Sequence, residues 1–142
     1  DDLLGLGVSA ISQIGDYYLQ NERDLASYCR LIDNTRIATA TGYRLNDSDK
    51  LRRHIIMNIV SDLKLDIAEC NDQFGIDFNK LFASQLKALR RMQADGLVSI
   101  SDQEIAVTTE GRPFLCNICM PFDAYLDTTH SGKPPPKLSV TL

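Results

Sequence analysis

Residues 78–107, FNKLFASQLKALRRMQADGLVSISDQEIAV, decide the fold. Phe78, Leu81, Phe82, Leu86, Leu89 and Met92 recur at steps of three and four, which places them on one face of a helix over 78–94. Lys80, Lys87, Arg90 and Arg91 fall on its flanks. Gly96 stands where a left-handed C-terminal cap is expected. The period then shortens to two. Val98 and Ile100, then Ile105 and Val107, alternate around Asp102-Gln103, which predicts a small hairpin at 97–108.

Working outward, Leu51, Ile55, Ile56, Ile59, Val60 and Leu63 build a wide apolar stripe, so 49–66 reads as a well-buried helix. Asn46 with Asp49 three residues on is a capping start, with Asp in place of the usual Glu or Gln. A shorter helix covers 67–74, and Gly75 can end it. On the other side Pro113 suits the first turn of a closing helix, where its missing N–H costs little. Phe114, Ile118, Phe122 and Tyr125 repeat at helical spacing, and Pro121 should kink that run. Helix, short helix, amphipathic helix, two-stranded wing and closing helix is the order of a winged-helix module. It makes 46–126 a winged-helix-like domain in a helix-dominated α+β chain. The same order serves DNA binding, protein docking and enzyme lids.

Ahead of that domain, residues 3–12 (LLGLGVSAIS) suit a buried strand flowing into a tight turn, with Gly5 and Gly7 allowing close backbone approach. Leu25, Tyr28 or Cys29, and Ile32 mark a helix within 22–33, and 34–45 suits short strands or an extended connection. Residues 127–142, with Pro134-Pro135-Pro136, read as a flexible Pro-rich tail.

The 142 residues are 44% hydrophobic and 24% charged, a globular composition that excludes wholesale disorder. A net charge of −4 argues against a nucleic-acid partner. No run reaches the roughly 18 apolar residues of a membrane span, and the start, Asp1-Asp2-Leu3-Leu4-Gly5, has no signal-peptide pattern. A cytoplasmic location follows as the default. Without an initiator Met, the start reads as the cut end of a longer chain. Cys29, Cys70, Cys116 and Cys119 form no disulfide framework. Cys116-Asn117-Ile118-Cys119 is formally C-x-x-C, but a metal would want a second ligand pair. His54 and His130 have no ligand-like spacing, and no metal site is assigned.

Gly5-Leu6-Gly7-Val8-Ser9-Ala10-Ile11-Ser12, Gly15-Asp16-Tyr17, Asn21, Leu51-Arg52-Arg53 and Asp95-Gly96-Leu97-Val98 appear in that order. Thr109, Gly111-Arg112, Asn117-Ile118-Cys119-Met120, Phe122-Asp123 and Tyr125-Leu126 complete the set. Together they resemble the C-terminal part of oxygen-independent coproporphyrinogen III oxidase, a radical S-adenosylmethionine (SAM) family. The chain departs from the family pattern at Thr41, Ser61 and Cys116, and in its tail. The resemblance implies that residues 1–45 are the last strand and helix of a partial α/β barrel. It implies a parent enzyme that converts two propionates of coproporphyrinogen III to vinyl groups with loss of carbon dioxide, giving protoporphyrinogen IX in haem biosynthesis. That chemistry uses SAM and a [4Fe–4S] cluster held by C-x-x-x-C-x-x-C, a motif these residues lack, so no catalytic residue is assigned and the piece alone should be inactive.

By position in the family, Ile11 is the candidate SAM contact, with Val8 to Ala10 as neighbours. Arg112 is a candidate contact to the tetracarboxylate substrate through its guanidinium, and Asp123 a candidate substrate-site residue that would orient a backbone group or an arginine across the interface. Arg52 and Arg53 lie near a helix start, where the helix dipole disfavours cations. They read as solvated or as facing an acidic partner such as the barrel. The implied role of the piece is a cover over the barrel. Two other readings stay open: the haem-chaperone branch of the superfamily, and a winged-helix module that binds DNA or protein through 78–94.

Overall fold

The computed structural model describes residues 2–126. The expected tail at 127–142 lies outside them. The chain divides into two units, one ending at Lys50 and one beginning at Leu51, and the division falls inside a helix. Six α-helices and two small sheets among the described residues make it a mixed α/β protein.

In the first unit, strands β1 (Ile11–Ile14), β2 (Tyr17–Asn21) and β3 (Thr39–Arg44) form an antiparallel sheet in that order. Helix α1 (Leu25–Thr35) joins β2 to β3. It starts on Asp24, whose carboxylate accepts from the Ser27 N–H, and ends at Arg36 in the left-handed region. The expected strand over 3–12 is corrected to one that begins only at Ile11. Gly7 and Ser9 adopt φ of 105° and 58°, which turn the chain, so that before Ile11 only an isolated antiparallel bridge of Leu3 to Gln13 remains. Leu3, Leu4 and Leu6 are exposed rather than buried.

The second unit is built on helix α2 (Asp47–Asp62). Its start is the reciprocal cap predicted from sequence: the Asp49 N–H donates to Asn46 Oδ1 (2.9 Å) and the Asn46 N–H to Asp49 Oδ2 (3.1 Å). Its end is a correction. The helix stops at Asp62, Leu63 takes φ 59°, and Lys64–Asp66 become strand β4. The apolar stripe continues to Leu63, but β4 is fixed by a partner some forty residues away that no local pattern reveals.

Helix α3 (Ile67–Phe74) runs as expected from its Asp66 cap to Gly75, which is left-handed at φ 63°. The helix expected over 78–94 is two: α4 (Phe78–Leu81) and α5 (Ala83–Ala94), broken at Phe82. The break lets Phe82 enter the core beside Phe78 (ring centroids 4.9 Å apart), and it leaves Leu81 55% exposed. Strands β5 (Val98–Ile100) and β6 (Glu104–Val107) form the predicted hairpin, and β4 pairs with the outer side of β6, giving the order β4-β6-β5. The closing segment is a 3-10 turn (Arg112–Phe114), helix α6 (Leu115–Cys119) and a second 3-10 turn (Met120–Phe122), with Pro113 and Pro121 in the two 3-10 turns. Ile55, Ile59, Leu65, Phe78, Phe82, Leu89, Ile105, Ile118 and Phe122 form the centre of one buried cluster. Burial of this apolar surface is what holds the helices on the sheet. Among the described residues no helix is long and apolar enough to cross a membrane.

Candidate functional site

Two places carry the residues singled out from sequence. The first is the glycine-flanked segment before β1. Ser12 is buried, and its Oγ accepts from the Gly5 N–H at 3.0 Å. The Asn21 side chain donates to the Gly7 carbonyl (2.9 Å), and the Ser9 N–H donates to the Glu22 carbonyl (2.8 Å). A Cβ on Gly5 would meet the Ile11 carbonyl oxygen at 2.5 Å, so the segment folds back on β1 only because this residue has no side chain. Gly5, Gly7, Ser12 and Asn21 thus lash the segment in place. They also line a cleft of about 340 Å³, with Tyr28, Ile32 and Arg36 from α1 and its cap on another side.

Ile11 is not in that lining. Strand residues alternate faces, so Ser12 and Ile14 turn to the cleft while Ile11 turns to the opposite face, where it is 55% exposed. Register pairs it with Gln20 and pairs Ser12 with Leu19.

The second place is the closing segment. Gly111 is buried against the Leu97 backbone, and its N–H donates to Thr108 Oγ1 (3.0 Å), whose hydroxyl donates in turn to the Gly96 carbonyl (2.7 Å). This bracket sets where the segment leaves the sheet. Arg112 follows, exposed, in the first 3-10 turn. Asp123 ends the second, half-buried, with Oδ1 accepting from the Tyr125 N–H at 2.8 Å. Among the described residues no ion pair joins Arg112 to Asp123.

Arg52 is half-buried rather than fully solvated: its Nη1 donates to the Phe122 carbonyl at 2.8 Å, and its guanidinium lies 5.5 Å from the centre of the Phe82 ring. The clue was a cation near a helix start with nothing local to favour it there. Cys119 is buried and Cys116 exposed. Burial and the neighbouring Cys116 push the Cys119 thiol up, and burial pushes Cys70 up to about 11. Both are protonated at neutral pH, which makes neither a ready nucleophile. No group of three or more His, Cys, Asp or Glu side chains among the described residues could hold a metal ion.

Residues 45–114 match the family model of the HemN C-terminal domain. Over those residues the chain is similar to the HemN C-terminal family. The match runs from Leu45, just ahead of the Asn46–Asp49 cap, through the core helices and the β4-β6-β5 sheet to Phe114. Arg52 lies inside the matched residues, and Ile11 and Asp123 lie outside them.

Similarity extends further than the domain. The chain is 44% identical over 125 residues to the oxygen-independent coproporphyrinogen III oxidase of Salmonella typhimurium, covering 88% of this chain and 27% of that protein. The Escherichia coli K12 protein of the same name is 42% identical over the same shares, and the Helicobacter pylori 26695 one 36% over 87% and 27%. Among solved structures, the E. coli coproporphyrinogen III oxidase (HemN), described as a radical SAM enzyme, superposes with a TM-score of 0.80 at 41% identity. That match covers 87% of this chain and 29% of the E. coli one. The chain spans little more than a quarter of the length of these relatives.

Proposed function

We propose that this chain is the C-terminal part of an oxygen-independent coproporphyrinogen III oxidase acting in the cytoplasm. The observation that carries the reading is the 0.80 TM-score at 41% identity over 87% of the chain. In this reading residues 1–45 close a partial α/β barrel and 46–126 form a winged-helix-like cover on it. The substrate is coproporphyrinogen III, two of whose propionates each lose a hydrogen and release their carboxylate as carbon dioxide, their remaining two carbons becoming the vinyl groups of protoporphyrinogen IX. SAM and a [4Fe–4S] cluster, when bound, supply the radical that removes a propionate hydrogen.

The residues described here do not fit the cluster, because none group as ligands. They do fit a contact to SAM: Ile11 presents an exposed apolar side chain beside the turned glycine segment, suited to a flat base. The remaining contributions are positioning and exclusion. An exposed guanidinium on Arg112 suits the substrate's carboxylates. The closing segment, braced at Gly111 and at Phe122, keeps water from the reacting propionate, where a radical would otherwise be quenched.

The test is turnover by the protein with its preceding residues, reconstituted anaerobically with iron and sulfide. Coproporphyrinogen III and SAM should yield protoporphyrinogen IX. A reconstituted protein that binds haem but converts no substrate would belong instead to the haem-chaperone branch.

A further inference from the structure

Arg52 does something no local signal explains. Its bond to the Phe122 carbonyl joins positions seventy residues apart. Its Nε is buried and has no hydrogen-bond partner among the described residues. Sealing part of a guanidinium away from water for a single bond is a poor source of stability, because the desolvation cost opposes the gain. The contact returns something in geometry.

The Phe122 ring is already fixed without it, fully buried with its centroid 6.3 Å from Phe78 and 5.6 Å from Phe82. Ring packing does not set the plane of the peptide that follows, which is held on its N–H side by the Asp123 N–H donating to the Met120 carbonyl (3.0 Å) and on its carbonyl side by Arg52. That plane decides the direction in which the chain departs, and here the backbone leaves the 3-10 turn for an extended conformation at Asp123 (φ −80°, ψ 108°). Arg52 grips the carbonyl of that very peptide. Downstream, the Asp123 carboxylate is tied to the Tyr125 N–H, so the tilt of one peptide carries the aspartate and its turn with it.

We propose that Arg52 is a positioning residue: it clamps the Phe122 carbonyl so that the Asp123–Tyr125 turn presents its carboxylate in one direction. The proposal rests on the sequence reading of Asp123 as a substrate-site residue, and its test separates the two. In the full-length oxidase, Arg52→Met keeps an apolar stem on Phe82 and loses the donor, whereas Arg52→Lys keeps a charged donor. Amide exchange at Asp123 and Tyr125 should rise by at least about tenfold in Arg52→Met, the change that losing one charge-assisted hydrogen bond brings. It should be partly restored in Arg52→Lys. Exchange at Val98 and Ile105 in the sheet should not change. Turnover should fall in Arg52→Met and in Asp123→Asn, with the double variant no slower than Asp123→Asn alone. Unchanged exchange at Asp123 and Tyr125 would overturn the proposal. So would additive losses of turnover, or a matching loss of protection at Val98 and Ile105, which would make Arg52 a general prop. Raised exchange at the turn beside full turnover in Asp123→Asn would keep the clamp and remove the substrate-site reading of Asp123.

Discussion

Gly111 shows what one atom decides. A Cβ there would fall within the van der Waals envelope of the Leu97 carbonyl oxygen and 2.8 Å from its carbon, both backbone atoms that cannot swing aside. Its own φ of −77° is open to any residue, so the requirement is for space. Gly75 is the converse: at φ 63°, with nothing within 4 Å of an added Cβ, the requirement is conformational. Gly111→Ala should therefore destabilise the protein by about 3 kcal/mol, the upper range for overpacking. Gly75→Ala should cost only about 1 kcal/mol. Urea unfolding followed by circular dichroism checks both, and equal losses would mean the Leu97 backbone yields. The sequence marks both residues as glycine and does not say which of the two reasons applies.

The element that departs furthest from its pattern is the helix expected over 78–94. Spacing puts Leu81 on the apolar face with Phe82 and Leu89. The break at Phe82 turns Leu81 to solvent and drives Phe82 and Leu89 inward, each almost fully buried. Leu81→Ala should change stability by less than about 1 kcal/mol, as an exposed side chain gives up little burial. Leu89→Ala should cost about 2–5 kcal/mol through lost contacts and the cavity left behind. Midpoints of unfolding on the two variants decide it: a large loss at Leu81 would restore a continuous helix. Periodicity sees the face of a helix and is blind to a one-residue break, because Phe82 is apolar in either arrangement. The short strand β4 escaped for a related reason, its three residues having meaning only beside β6.

At the scale of the whole molecule, the unit ending at Lys50 leaves Leu4, Leu6 and Ile37 each more than 60% exposed. Apolar surface of that kind marks a region made to be covered. The 142-residue chain by itself should therefore self-associate as its concentration is raised. Sedimentation velocity on the chain and on a Leu4→Ser, Leu6→Ser, Ile37→Ser variant tests this. A monomer at every concentration in the unsubstituted chain would show that the exposed leucines do not drive association. The candidate site divides along the same line: the glycines, Ser12 and Asn21 that lash the first segment were all readable as part of one ordered set of residues, yet which face Ile11 occupies depended on the register of β1 against β2.

The sequence by itself determined the parts whose cause is local. The Asn46–Asp49 cap, the left-handed glycines at 75 and 96, the hairpin and the prolines of the closing turns all depend on neighbours within a few residues. Its ordered short matches also pointed to the family. Tertiary structure alone decided the third strand of the β4-β6-β5 sheet, the break at Phe82, and the arginine that reaches from α2 to Phe122. Each of these depends on a partner far along the chain. Side-chain spacing encodes which face is apolar, but the identity of the surface it meets exists only once the chain has folded.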